Sequence, residues 1–204
     1  MPVTTTHKGY DAHQEKARRV RDAVAGSDAI KARGTKYLPN PDKDDPERYK
    51  EYKGRAQWLG VTKRTHDGMM GAVFRKAPTT ELPAAIEYLI DDADGSGLGL
   101  TQFARRATSD TMQDGRHGVL VDYPEAEDGL PREQTQGLRA TLRHYPSASI
   151  RNWRRAGEDL VLVVLSETYE EPKDEFAVEE KEQFRVLSLD ATGYRQRVFR
   201  GDDV

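Results

Sequence analysis

An α+β fold, with helices early in the chain and an antiparallel sheet at its end, is what the 204-residue sequence predicts. Three observations point there. As far as Gly115, apolar residues recur at three- and four-residue steps between glycines and prolines, the spacing of a helix face. From Ser149 onward, short runs rich in β-branched and aromatic residues alternate with glycine and aspartate turns, as hairpins do. Helices come first and strands last, an order that suits helices packed on an antiparallel sheet better than alternating parallel units.

Taken in order, Asp11 to Arg33 carries Ala12, Ala17, Val20, Val24 and Ile30 and stops at Gly34, which predicts one helix or two short ones. Thr35 to Asp45 holds two prolines and should run extended as a strap. Asp45 is placed to cap the next helix, with Pro46 at its first position, where a missing N–H costs nothing. Tyr49, Tyr52, Ala56 and Leu59 follow on one face, and the pattern resumes through Thr65, Met69 and Val73 after a break near Gly60. A short helix is expected over Leu82 to Ile90, a turn over Asp91 to Gly99, and another helix from Leu100 to Gly115. His117 to Tyr123 reads as a strand, and Pro131 to Arg143 as helical. The terminal sheet comes next as SIRNWR, LVLVVLSETY, QFRVLSL and YRQRVF. Leu160 to Leu165 is continuously apolar and is expected to be buried on both faces. Glu167 to Glu182, with eight acidic and two basic residues, is expected to be a hairpin loop.

Composition narrows the chemistry. Apolar residues are 36% and charged residues 33%, so the core should be thin. The absence of cysteine excludes disulfides, a thiol nucleophile and cysteine-ligated zinc or iron–sulfur clusters. No stretch has the apolar length that spans a bilayer, so no membrane partner is expected. Residues 1–76 hold 17 basic and 10 acidic side chains and residues 77–204 hold 15 and 25, giving halves of +7 and -10. Such asymmetry points to nucleic-acid contact, to charge-complementary self-association, or to ion pairing inside the fold.

No catalytic constellation is complete. Asp91, Asp92, Asp94 and Gly95 resemble part of a calcium loop, but the first and twelfth positions fall on Ile90 and Thr101. His66 with Asp67 lacks a third member, and His117 and Asp122 should face opposite sides of a strand. No nucleophile elbow, zinc-binding helix or phosphate loop is present. The reading is therefore not an enzyme, with no cofactor or metal. Lys63, Arg64, Arg75 and Lys76 are the candidates for DNA or inter-subunit contact, since cations near aromatics can hold a phosphate backbone. Tyr49, Tyr52, Phe74, Phe103 and Trp153 are the candidate structural anchors.

Six stretches in sequence order resemble a family of phage proteins, domain of unknown function 4055, regarded as portal proteins. They are YLP at Tyr37, YKEYKGRA at Tyr49, RTHDGMMGAVFRKAP at Arg64, DADGSGLGLTQFARR at Asp92, DGRHGVLVDYP at Asp114 and SIRNWR at Ser149. The resemblance implies the wing region of a portal subunit, with 1–45 as a helical arm and linker and 46–204 as the wing-like domain. Stem, clip and crown would be missing, as in an N-terminal fragment, a truncated gene or one half of a split protein. It further implies a homo-oligomeric ring of about twelve copies around double-stranded DNA. Terminase, major capsid and head–tail adaptor proteins would be its partners. Assembly would take place in the bacterial host cytoplasm, and the final location would be the virion. Another head–tail adaptor or structural module fits the same residues. So does a carboxylate-dependent nucleic-acid enzyme using Asp110, Asp114 and Asp122, while a DNA-binding regulator is disfavoured because no basic recognition helix appears.

Overall fold

A computed structural model of the chain describes residues 2–43, 45–123 and 139–201. The fold is α+β, with helices first and two antiparallel sheets after them. Helix α1 spans Tyr10–Ala25 and α2 spans Ser27–Ala32, divided at Gly26, whose φ of 94° a side chain would resist. A short 3-10 turn, Gly34–Lys36, leads into an irregular strap. The strap is anchored at Tyr37, whose hydroxyl donates to Asp22 Oδ2 at 2.9 Å, and at Leu38, whose carbonyl accepts from Tyr49 Oη at 3.2 Å. Helix α3, Pro46–Arg55, begins as expected, with Asp45 Oδ1 accepting from the Arg48 N–H at 3.0 Å. The chain then runs extended to Gly60, and α4 spans Val61–Val73.

Burial of these middle helices departs from expectation. Neither α3 nor α4 has a fully buried residue, and Ala56 and Leu59 lie beyond the end of α3, with Leu59 77% exposed. The expected apolar face of α3 is therefore mostly in solvent. The short helix expected over Leu82 to Ile90 is present as a 3-10 helix, Ala84–Ile90, following Pro83. The Asp91 to Gly99 turn is closed by its own aspartates: Asp94 Oδ1 accepts from the N–H groups of Ser96 at 2.9 Å and Leu98 at 3.1 Å. The turn is also pinned to a strand later in the chain, because the Ala93 carbonyl accepts from Leu142 N–H at 2.7 Å. Helix α5, Leu100–Asp114, stops at Gly115, where φ is 69°.

Strand β1, His117–Asp122, pairs antiparallel with β2, Thr141–Pro146. The expected helix over Pro131 to Arg143 lies outside the described residues up to 138, and Thr141 to Arg143 are strand instead. The second sheet is a meander of β3 (Ile150–Ala156), β4 (Asp159–Pro172), β5 (Val178–Asp190) and β6 (Gly193–Arg200), in that order across the sheet. One face buries Val164, Phe184 and Val186, with Val3, Leu162 and Phe199 packed around them. The N-terminal residues lie along β3, where His7 N–H donates to the Arg151 carbonyl at 2.9 Å and Asn152 Nδ2 donates to the Thr5 carbonyl at 2.9 Å.

A groove of about 480 Å³ separates the opposite face from β1 and β2, lined by Leu120, Tyr145, Trp153, Leu165 and Leu187 among others. Val164 and Leu165 are adjacent and both buried, at 5% and 4% exposure, so this part of β4 is covered on both faces. Leu160, at 52%, is not. The acidic Glu167 to Glu182 stretch is also no loop. Most of it is paired strand, and only residues 173–177 turn.

Candidate functional site

Helix α5 delivers Asp110 and Asp114 to the start of β1, because the left-handed Gly115 turns the chain straight from one element into the other. There the His117 side chain is 3% exposed, with Nδ1 3.4 Å from Asp110 Oδ2. That separation suits an ion pair but is not aligned as a hydrogen bond, and among the described residues His117 Nδ1 has no hydrogen-bond partner. Its Nε2 is 3.0 Å from His144 Nδ1 on β2. The His144 ring stacks on Phe103 of α5 at 3.6 Å. Burial, reinforced by His117 and Arg106, pushes His144 down to about 4. Burial lowers His117 as well and raises Asp110. The stack joins α5 to the β1–β2 pair, with His117 also on the wall of the 480 Å³ groove.

Asp114 serves a different network. Its Oδ2 accepts from Arg21 Nη1 at 2.6 Å and from Ser147 Oγ at 2.8 Å. Ser147 Oγ in turn accepts from Gln14 Nε2 at 3.4 Å, and Gln14 Oε1 accepts from Arg21 Nη2 at 3.3 Å. Gln14 and Asp114 are each 6% exposed and Ser147 0%, so α1, α5 and the turn after β2 are joined through polar groups that water does not reach.

A second cluster lines an open polar cleft of about 610 Å³ between β2 and the β4–β5 pair. Glu167 is its centre. Burial alone would raise its carboxyl, but donation from Arg185, Tyr145 and Gln183 outweighs this and holds it below the usual range. Arg185 Nε donates to it at 2.5 Å and Gln183 Nε2 at 2.6 Å. Burial and then the Glu167 carboxylate raise Tyr145. Asp122 lies at the edge, 2.8 Å from Arg143 Nε and 3.9 Å from Arg185 Nη1. These ionisable groups are spent on one another. Asp110 and Asp114, one turn apart on α5, both act on His117, but Asp122 is paired with Arg143 and Arg185, so the three carboxylates do not share one set of partners. Among the described residues, no group of three or more His, Asp or Glu side chains is placed to hold a metal.

The candidate contact residues lie on the helical flank. Lys63 Nζ bridges to Asp67 Oδ2 at 2.5 Å, and Lys63, Arg64, Arg75 and Lys76 are all exposed. His66, beside them, is 3.2 Å from Asp67 and 3.1 Å from Ser109 Oγ, which joins α4 to α5. Of the candidate anchors, Phe103 is 4% exposed and belongs to the interior. Trp153 is half-buried, stacked on His7 at 3.9 Å with the Arg116 guanidinium 4.4 Å from its ring centroid. Phe74 is half-buried under Arg105 at 5.3 Å, and Tyr49 is half-buried against the strap. Tyr52, 37% exposed, is not a core residue, and Trp58 is 41% exposed with its indole N–H donating to the Ala23 carbonyl at 3.0 Å.

At the other extreme of charge, residues 168–172 and 178–182 of β4 and β5 continue beyond the last pairs that β3 and β6 make, as a two-stranded ribbon. Residues 168–182 hold seven acidic and two basic side chains. The residues joining α1 to Ser147, the half-buried Glu167 and Arg185, and Phe176 at the ribbon tip are absent from the sequence-based candidates. Buried polar residues carry no hydrophobic periodicity, and a single phenylalanine among acids carries no spacing at all. No protein-family model matches the chain, and no curated protein matches it either, so its function is argued from its own geometry.

Proposed function

We propose that the chain is a structural subunit of a portal-type ring at the head–tail vertex of a tailed phage, and not an enzyme. One observation carries this reading: the central carboxylates Glu167 and Asp114 are each paired with an arginine inside the fold, while an acidic ribbon and a basic, partly apolar helical flank face outward on different elements. A closed ring repeats a single contact between two unlike surfaces, and opposite charge on them favours that contact over like-to-like pairing. The six stretches that resemble the portal family support the same reading. DNA, terminase, capsid and adaptor partners and a place in the virion belong to the proposal, with Lys63, Arg64, Arg75 and Lys76 as the residues that meet DNA or a neighbouring copy.

Electron microscopy of the purified gene product tests it, with rings around an axial channel as the expected result. Particles that never close would overturn the ring. A magnesium-dependent nuclease activity lost in Asp110→Ala would instead favour the nucleic-acid enzyme.

A further inference from the structure

The ribbon is built in a way that gives an isolated hairpin no advantage. Glu170 lies opposite Glu180, and Glu171 opposite Glu179, although like charges directly across a strand pair repel. Lys181 relieves part of this by bridging to Glu171, with Glu179 at 3.8 Å. The tip, by contrast, is well made. Asp174 Oδ1 accepts from the N–H groups of Phe176 and Ala177 at 2.8 Å each, and the Ala177 carbonyl accepts from Lys173 N–H at 2.9 Å. This ordered turn holds Phe176 92% exposed. A large apolar side chain presented rigidly to water is the form of an interface anchor.

A receptor of opposite character lies on the helical flank. Between α1, α4 and α5 there is an apolar hollow of about 440 Å³, walled by Val20, Val24, Val61, Met69 and Met112. Val61 and Met69 are 54% and 51% exposed, and among the described residues α4 packs mainly against α1 and α5. Methionines suit such a hollow, because their unbranched side chains reshape around an aromatic ring. Residues 61–76, which form one wall and its continuation, carry four basic side chains and one acidic.

We propose that the ribbon tip of one copy of this chain seats Phe176 in the α1–α4–α5 hollow of a second copy, with the ribbon's carboxylates against Lys63 and Arg64. Donor and receptor are different surfaces, so the contact is heterologous and repeats from copy to copy. It rests on the self-association in the portal reading and names the contact that carries it.

The chain has no cysteine, so single-cysteine variants of the full chain report the contact directly. Phe176→Cys mixed with Met69→Cys and a short bis-maleimide should give a mixed dimer in excess of either homodimer. The product should be lost in about 0.5 M NaCl, where exposed charges are screened. It should also be lost when Tyr194→Cys replaces Met69→Cys. Phe176→Ser, whose thermal midpoint should match the parent chain at dilutions where neither associates, should weaken self-association by sedimentation at least about tenfold. Absence of the mixed dimer, or unchanged association of Phe176→Ser, overturns the contact. Micrographs separate it from the broader reading: rings from both the parent chain and Phe176→Ser sink the contact alone, whereas a mixed dimer without rings sinks the ring alone.

Discussion

Asp114 holds two donors from distant parts of the chain, Arg21 and Ser147, on one oxygen. Its removal leaves a buried hydroxyl and a half-buried guanidinium without their acceptor. We expect Asp114→Ala to lose about 2–4 kcal/mol, read as a lower urea midpoint. Asp114→Asn, which keeps an acceptor oxygen, should lose less.

The neighbouring histidines respond to pH instead. His117 and His144 are both held below their ordinary value of 6.5, His144 at about 4. The unfolded chain therefore binds more protons than the folded one in that interval. This contribution is complete above pH 6.5 and declines as the pH falls toward about 4. Each unit of depression corresponds to about 1.4 kcal/mol. The groups that act on His144 are His117, Arg106 and Asp94. The thermal midpoint should fall between about pH 7 and pH 4.5, and should fall less in His144→Phe, which keeps the ring on Phe103 but has no proton to gain. None of this is legible in the sequence. A neutral buried histidine and a solvated one are the same letter, and only the pairing of β1 with β2 brings His144 under Phe103.

Among the elements, those with local causes are the ones the sequence predicts. The Asp45–Pro46 helix start, the breaks at Gly60 and Gly115 and the four-stranded meander each arise from residues within a few positions. Strand β2 does not, because TLRHYP has no apolar alternation. Its inward residues include His144 and Tyr145, whose partners lie on α5, β1 and β4. The acidic stretch reads as a loop for the same reason, since the strand pairing that tolerates its charges depends on register with β5. Glycines test the packing. A Cβ at Gly99 would sit 2.7 Å from the Ile90 carbonyl oxygen, so Gly99→Ala should cost about 1–3 kcal/mol and loosen the turn that holds β2. At Gly68, in the middle of α4, nothing lies within 4 Å, and Gly68→Ala should stabilise by about 0.5–1 kcal/mol. Both are read as shifts in the thermal midpoint. In the ribbon, Glu180→Lys converts a like-charge pair with Glu170 into an opposite one and should add about 0.2–1 kcal/mol. The same change should weaken self-association, a loss of function with a gain in stability that a merely structural ribbon would not show.

As a whole, the described residues bury ten hydrophobic side chains and leave eighteen large ones exposed. No helix among them is long and apolar enough to cross a membrane. Composition foretells the thin interior, but which hydrophobics stay outside depends on the final packing and is invisible beforehand. If copies of the chain cover one another, apparent stability must follow concentration by mass action, so the thermal midpoint should rise with protein concentration in the parent chain and stay flat in Phe176→Ser.

The bonds that join the first helix to the rest also set the timing of synthesis. Tyr10 Oη reaches the Ala148 carbonyl at 2.6 Å and Gln14 reaches Ser147, sequence separations of 138 and 133. A ribosome adding about 5–20 residues per second needs roughly 7–28 s to produce the second partner after the first has emerged. During that wait α1 can pack on α2, α4 and α5, but Tyr10 and Gln14 still lack their later partners. Nascent chains of this protein should therefore engage cellular chaperones early and release them in one late step, when the turn after β2 leaves the exit tunnel.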